Sequence, residues 1–580
     1  MWMGRLLWTF AVSVTIAVAA CGGDASHPAG GGDSGAGPVD GAAGGPEAGA
    51  VGDGQAGGVD AAGHADAAGP DADAAGAATM AKPTCSAPIG PADVSHPTTV
   101  VGDGTAASCT EQALAAAVAG GGVITFRCGP SMTIPVTSTI QLPIDKDTVI
   151  DGAGVVSLDG GGTTRVFEFN SPNYRATRTT VTLQNLSIVH GKATGTPIPT
   201  APAPCSQGFE IDGSGGAIFV RDGVLHVVGV QFSDNHAASP GPDVGGGAIY
   251  AEGSLDVTVV SSLFSGNSGS NGGAIGSLNS DLTLIEDTFS NNQATGSGAN
   301  TVTSACTVDG GESGNGGNSG AVGIDGGSDG TVTVCGCTFS HNSAGALGGA
   351  LARTADAAMQ ALNVDQSTFD SNTAAQGGGA MYVHNCVLAV SASTISNNTA
   401  PGGGGIQADS TTVQLVNDTF ASNTATGGLG GGLALFSGGG SVRSCTFAAN
   451  QAQGGSGHFG AAIAGGVALT IDDTIFSANT SQDCGSPMAC QDGSSTGSAD
   501  LQWPQAHAVC TTNDTPCAAG TTFADPMLGN LAYGGGPTRT IAPSAGSPAI
   551  GAGTSCPPTD QRGQPRKADG CTIGAVEVGP

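Results

Sequence analysis

A right-handed parallel β-helix is the fold class that this sequence predicts, and three observations carry it. From Phe232 onward the pattern apolar, any, apolar, four of any, Phe or Ile, two of any, Asn recurs nine times. The Asn positions follow one another at steps of 32, 25, 50, 30, 26, 25, 27 and 29 residues, and a period of this size means a solenoid, a propeller or an array. The third observation is composition: 101 Gly and 30 Pro stand in 580 residues beside 3 Trp, 4 Tyr and 17 Phe. Gly costs roughly 1 kcal/mol relative to Ala in a helix interior, so a helix-rich globule is excluded. Each unit is instead β-branched, alternates apolar residues and ends in Gly-rich turns. A propeller blade needs about 40 or more residues, longer than these units. One coil of a parallel β-helix fits, and its right hand follows from the handedness of parallel crossovers.

The elements follow in chain order. Residues 1–20 have the three parts of a secretory signal: Arg5, an apolar run from Leu6 to Ala17, and a small-residue end. The run is too short to span a bilayer. It ends in Val18-Ala19-Ala20-Cys21, which resembles the lipobox of bacterial lipoproteins. That resemblance implies a diacylglycerol on Cys21, a membrane partner through the N-terminal lipid, and a place in the bacterial envelope. Gly22 follows the Cys where the inner-membrane retention signal of some lipoproteins has Asp, which points to the outer membrane or cell surface. Residues 21–84 are built of Gly, Ala, Asp and Pro with no aromatic residue, too polar to offset their ordering entropy. A disordered tether is expected there, spanning about 45 Å root-mean-square as a Gly-rich coil.

Residues 85–480 are expected to hold the β-helix and its N-terminal cap. Glu111 to Ala119 reads as a short helix able to cover the apolar end of the stack, which solenoids require. Val123 to Phe126, Thr148 to Gly152 and Val181 to Val189 read as irregular first coils. The repeat proper centres on Phe232, Phe264, Phe289, Phe339, Phe369, Ile395, Phe420, Phe447 and Phe476. These side chains and the apolar pairs before them should point inward and stack at about 4.8 Å per coil. Asn235, Asn267, Asn292, Asn342, Asn372, Asn398, Asn423, Asn450 and Asn479 stand three residues later. Asn suits a tight bend because it tolerates left-handed backbone angles, and stacked Asn side chains can bond to one another between coils. The step of 50 before Asn342 is either two units lacking a motif between them or one unit swollen around Cys306. Gly-Gly-Ala-apolar stretches, such as Gly215 to Ile218 and Gly378 to Met381, alternate with the Asn sites.

Gly-Gly-Ala-apolar alternating with Phe-x-x-Asn resembles the repeat of the chlamydial polymorphic outer-membrane proteins, over residues 215–480. In that family it implies a surface passenger carried by a C-terminal autotransporter barrel. This chain departs from it: the 101 residues after Asn479 are Cys- and Pro-rich and lack serial amphipathic ten-residue strands. Residues 481–580 form a Cys-rich region of their own. Within it Asp525-Pro526-Met527-Leu528-Gly529, Gly546-Ser547-Pro548-Ala549-Ile550-Gly551 and Thr559-Asp560-Gln561-Arg562-Gly563 are similar to the choice-of-anchor Q domain, which closes many secreted β-helix proteins. Gly551 stands where many members of that family carry Asp.

Sixteen Cys, less Cys21, leave an odd number, and a secreted chain without metal-ligand spacing favours disulfides. The pairs expected from proximity are Cys109 with Cys128, Cys484 with Cys490, Cys510 with Cys517 and Cys556 with Cys571. Cys205 with Cys306 is a further pair between loop insertions. Cys85, Cys335, Cys337, Cys386 and Cys445 remain, at least one of them free or paired between chains. Cys335-Gly336-Cys337 has no second cluster to complete a zinc site. No cofactor is expected. Structural Ca²⁺ is the one ion raised by the Asp excess, although the Gly-Gly-x-Gly-x-Asp nonapeptide does not repeat.

The balance of 15 Lys and Arg against 46 Asp and Glu, a net charge of −31, excludes nucleic acid and suits polyanions poorly. Parallel β-helices also host polysaccharide lyases and hydrolases, so an enzyme is the rival reading. A lyase needs cations against the substrate carboxylate and a base for its proton. Between Phe209 and Asn479 the only cations are Arg221, Arg353 and Arg443, in separate units. Asp472-Asp473 is an adjacent acidic pair of the array, read as solvated turn residues, and His236, His341, His384 and His458 share no register. The expected function is a non-catalytic surface lipoprotein whose array serves adhesion, envelope or binding roles, with a glycan or surface protein as ligand. A carbohydrate-active lyase or hydrolase is the alternative.

Overall fold

The computed structural model describes residues 80–579, apart from 196–212, 240, 242–243, 298–315, 327–330, 356–359, 455–458, 483–487, 492–493 and 507–511. These residues build an all-β, right-handed parallel solenoid of about thirteen turns. Cys21 and most of the tether lie outside the described residues, as do Cys205, Cys306, His458, Cys484 and Cys510.

One coil shows the plan. Gly348 turns the chain with φ +70°, and Leu351–Thr354 then forms a strand of what we term the second sheet. Gln360–Asp365 lies in the first sheet. Gln366 bends left-handed at φ 47°, and Thr368–Asp370 enters the third sheet. Ser371 bends again at φ 58° before the two-residue strand Thr373–Ala374 of the fourth. Repetition of this order stacks parallel sheets of 14, 11, 14 and 8 strands. The register is held by identity of position, Val334 opposite Val364 and Phe339 opposite Phe369.

Inward-facing residues alternate with outward ones because the side-chain period of a strand is two. Leu351, Leu362, Val364 and Phe369 are therefore buried together, each such side chain contributing about 1.5–3 kcal/mol. Phe232, Phe264, Phe289, Phe339 and Phe369 stack with centroids 4.6–4.8 Å apart. Ile395 interrupts the column, which resumes with Phe420 and Phe447 at 4.5 Å. The paired glycines serve two needs. Gly348 supplies the positive φ, whereas a Cβ on Gly349 would lie 2.0 Å from the Gly379 carbonyl of the next coil, so only the smallest residue fits there.

The nine Asn residues make one continuous ladder. The backbone N–H and Nδ2 of Asn342 both donate to Asn372 Oδ1, at 3.0 and 2.9 Å, while Asn372 Nδ2 donates to the Phe339 carbonyl at 3.0 Å. Asn292 reaches Asn342 in the same way, so the 50-residue step is a single swollen unit. The left-handed angle, however, belongs to the residue before each Asn, among them Asp234, Asn291, His341 and Ser371. The Asn is selected by its side chain, which carries donor and acceptor at once, and not by tolerance of positive φ.

At the N-terminal end Thr99–Val101 pairs with Ile124 to Phe126, and the helix Glu111–Gly120 lays Leu114, Ala117 and Val118 over the core. Its first turn is capped by the Thr110 side chain, which accepts from the Ala113 N–H. The stack runs past the expected boundary at 480. Thr496–Ser498, Asp500–Trp503 and Thr521–Phe523 add strands to the first and third sheets. Gln502 takes the Phe register opposite Phe476, and a polar residue at that point is what hides the extra coil from a pattern search.

The corner between the first and third sheets is covered from outside by two segments. Residues 81–98 run along it as an N-terminal strap. Thr84 N–H donates to Gln366 Oε1 at 2.9 Å, Ala92 N–H to Gln184 Oε1 at 2.7 Å, and Ile89 packs on Val260, Ile285 and Cys335. Cys85 is bonded to Cys335, 250 residues away. Farther along the same corner, residues 538–575 fold back on the later coils. The Thr538 hydroxyl donates to the Ala392 carbonyl, the Asn417 amide to the Thr559 carbonyl, and the Gly574 N–H to the Asp473 carbonyl. The two covers meet where the Ala81 N–H donates to the Gly536 carbonyl at 3.0 Å.

Candidate functional site

The second sheet lies away from the covered corner. Its register places one outward residue per coil in the row Glu168, Phe219, Tyr250, Gly276, Gly323, Ala352, Tyr382 and Gln407. Phe219 and Tyr250 stack with centroids 6.1 Å apart, and Arg165 lies 5.2 Å over the Phe219 ring. Beyond Tyr250 three small residues leave a shallow recess lined by Asn271, Ser277, Leu278, Asn318, Ser319, Ile324, Asp325 and Thr354. Asn271 Oδ1 accepts from the Asn318 N–H at 3.0 Å, which fixes one wall. Asn318 Oδ1 is buried without a hydrogen-bond partner. A second, more open basin toward the N-terminal end is lined by Thr137, Ser138, Thr139, Thr163 and Thr164 with Arg165, Glu168 and Lys192.

The neighbouring outward row holds Arg221, Glu252, Leu278, Asp325, Thr354, His384 and Asp409. Burial raises the Glu252 carboxyl, against the pull of Arg221 3.8 Å away. Burial also raises Asp409, opposed by the Tyr382 hydroxyl and Gln407 beside it, and raises the Tyr382 phenol in turn. The three array cations do not converge. Arg221 sits by Glu252, Arg443 is exposed on the first sheet, and Arg353 is buried in the core with its Nη1 donating to the Ala361 carbonyl. Of the scattered His residues, His236 bonds Ser268 Oγ and His341 occupies a left-handed bend.

Asp472 and Asp473 are not a solvated pair. Asp473 is fully buried, and its two oxygens accept from the N–H groups of Thr554 and Ser555 at 2.7 and 2.8 Å. Asp472 accepts from Ser498 on the next coil. The fold-back of the C-terminal region, invisible in the local sequence, removes Asp473 from water, while Asp472 stays part-exposed. Asp500, one coil on from Thr474 and bonded to its N–H, is pushed up to about 8, first by burial and then by the charges of Asp472 and Asp473.

The cysteines follow the coil and not the sequence. Cys109 is bonded to Cys128 and Cys556 to Cys571. Cys490 is bonded to Cys517, 27 residues on, so the expected pairs Cys484 with Cys490 and Cys510 with Cys517 are both corrected. Pairing by shortest spacing holds for Cys109 with Cys128 and for Cys556 with Cys571 and fails at Cys490 and Cys517, where the partner lies one coil away. Cys337, Cys386 and Cys445 are free and buried, and burial raises all three thiols, which makes them inert. Among the described residues one group of metal-ligand side chains comes together, Asp473 with Cys556 and Cys571, and those two cysteines are consumed by their disulfide. No described helix is long and apolar enough to cross a membrane.

Two family models match the coils. One, described as right handed beta helix region, matches residues 349–496, and the Chlamydia polymorphic membrane protein repeat matches residues 229–252. No curated protein matches the sequence. Among solved structures the chain is similar to PfbA, a surface adhesin of Streptococcus pneumoniae, at 13% identity and a TM-score of 0.33, covering 63% of this chain and 88% of that one.

Proposed function

We propose that the protein is a lipid-anchored surface β-helix that binds and does not cleave. The observation that carries this reading is how the array disposes of its reactive groups. Asp473 holds the C-terminal fold-back, Arg353 is in the core, Arg221 faces Glu252, and the free thiols are buried. What the second sheet leaves facing outward in its recess is amide, hydroxyl and one carboxylate, a set suited to recognition. The repeat match to a family of membrane proteins and the Val18-Ala19-Ala20-Cys21 motif support presentation at the envelope.

The full chain expressed in a Gram-negative host is expected to take up labelled palmitate and to fractionate with membranes, and Cys21→Ala to lose both. Purified protein is expected to bind whole cells while releasing no reducing or unsaturated sugar from polysaccharides. One pair favours the rival hydrolase: Glu252 and Asp325 stand two coil steps apart in one register, about 10 Å at strand spacing, near the separation of inverting carboxylates. Sugar release abolished by both Glu252→Gln and Asp325→Asn would establish that reading instead.

A further inference from the structure

We propose that the recess between Tyr250 and Tyr382 on the second sheet takes an uncharged, extended polysaccharide lying along the solenoid axis. This deepens the binding reading above and rests on it. The floor is set by register: Gly276, Gly323 and Ala352 occupy three successive coils between the two tyrosines. The Tyr250 ring lies over Gly276, where a Cβ would meet it at 2.7 Å, so the free floor is Gly323 and Ala352, and the three coil steps from Gly276 to Tyr382 give a trough about 14 Å long, the length of a short oligosaccharide. A ligand running along the axis meets the same position of each coil in turn, so it finds repeated contacts that a compact molecule would not use.

The walls define the chemistry. Asn271, Asn318, Ser319 and Thr354 both donate and accept hydrogen bonds, as sugar hydroxyls do. Leu278, in the outward row, offers apolar surface for the C–H faces of the rings. The described lining contains one carboxylate, Asp325, and no cation, so a uronate or sulfated chain would meet repulsion without compensation, in a protein of net charge −31. A peptide strand is disfavoured, because the strands under the recess are paired on both sides and leave no edge to extend.

The test uses the full chain against a panel of uncharged polysaccharides (β-glucans, mannans and galactans), with polygalacturonate and heparin as charged polymers and a random peptide library as the third arm. Binding to at least one uncharged polymer is expected, with Ala352→Trp lowering affinity at least tenfold by filling the floor and Asn318→Ala lowering it about fivefold. Unchanged circular dichroism and melting would show that both variants are folded. Binding confined to charged polymers or peptides, binding indifferent to Ala352→Trp, or no polymer bound would each overturn the proposal. Whole-cell binding separates the two readings. Cells bound equally by wild type and Ala352→Trp leave the surface-binding function standing while the recess falls; cells bound by neither remove the function itself.

Discussion

The two left-handed corners of each coil solve the same problem with different residues. At the corner after the third sheet, a bend residue such as Ser371 is followed by Asn372, whose side chain accepts two hydrogen bonds from the preceding Asn and donates two more. At the corner before the third sheet, the bend at Gln366 is followed by Ser367, and the equivalent positions hold Ser262, Asp287, Cys337, Ser393, Asp418, Cys445, Thr474 and Asp500. There too coils are tied to one another, except where Cys337 and Cys445 follow: Ser262 N–H donates to Asp287 Oδ1 at 2.8 Å, Cys337 N–H to Ser367 Oγ at 3.1 Å, and Ser393 N–H to Asp418 Oδ1 at 2.9 Å. The first corner needs an acceptor and a donor in a fixed plane, and only Asn supplies them at that length. The second needs one small acceptor, and Ser, Thr and Asp all qualify.

The difference is best broken at Asn372. Asn372→Leu is expected to cost about 4–6 kcal/mol, since it strands two donors of Asn342 and removes the side-chain donor to the Phe339 carbonyl and one of the two donors to Asn398 Oδ1 inside the wall. Hydrogen exchange of residues 339–398 should rise while the N-terminal coils stay protected, as nearest-neighbour stability requires. Phe369→Ala removes a stacked ring from between the same two corners, and a loss of about 3–5 kcal/mol is expected from the cavity, with exchange again local. Asp473→Ala tests the outer cover of the second corner. Two N–H groups, those of Thr554 and Ser555, lose the buried carboxylate that accepts from them, so an effect of about 1–3 kcal/mol is expected, read as protease cleavage within residues 538–575 while the coils resist.

A fourth prediction concerns pH and separates the corners further, because Asn does not titrate. Asp500 is pushed up to about 8 in the folded chain, while an unfolded Asp titrates at about 3.9. The folded state therefore holds the extra proton between those values. Stability of the last coils should be greatest near pH 4, fall as pH rises to about 8 by at most about 1.4 kcal/mol per unit, and then level off. Exchange of residues 470–503 measured from pH 4 to 9 would show the slope, and Asp500→Asn should flatten it. The smallest effect is expected for Cys337→Ser, within about 1 kcal/mol by melting, since the thiol only donates weakly to the Cys335 carbonyl and Ser already fills this position elsewhere. A loss as large as that of Asn372→Leu would mean that the second ladder is as selective as the first.

The comparison also explains what could be read in the sequence. Asn235 to Asn479, the Phe column and the paired glycines were legible because each position demands one residue type for a steric or hydrogen-bonding reason. The second ladder was not, because residues of different chemistry satisfy it. The strap was hidden for another cause: Cys85 meets Cys335 only after the solenoid has brought distant coils beneath it, and nothing near Cys85 specifies that partner. The recess between Tyr250 and Tyr382 was equally hidden, since it is a row of unlike residues, Tyr, Gly, Gly, Ala and Tyr, whose meaning comes from register alone. Cys490 and Asp473 mislead local reading in the same way, one bonded a coil away and the other buried by a segment about 80 residues downstream.

The strap also determines how the array bears force. A pull on the chain at residue 80 first breaks the few hydrogen bonds at Ala81 and Thr84 and then arrives at the covalent bond between Cys85 and Cys335. Peeling stops there. Tension passes into the coil of Val332–Cys335, which has neighbours on both sides, and residues 86–98 and the helical cap carry none of it. A solenoid loaded at its first strand would unravel coil by coil, each step rupturing a single layer. Loaded at an internal coil, it must shear several strands at once. Under tension applied at the N-terminus the disulfide is a mechanical clamp, and reducing it should turn a high single rupture in force spectroscopy into a series of lower ones.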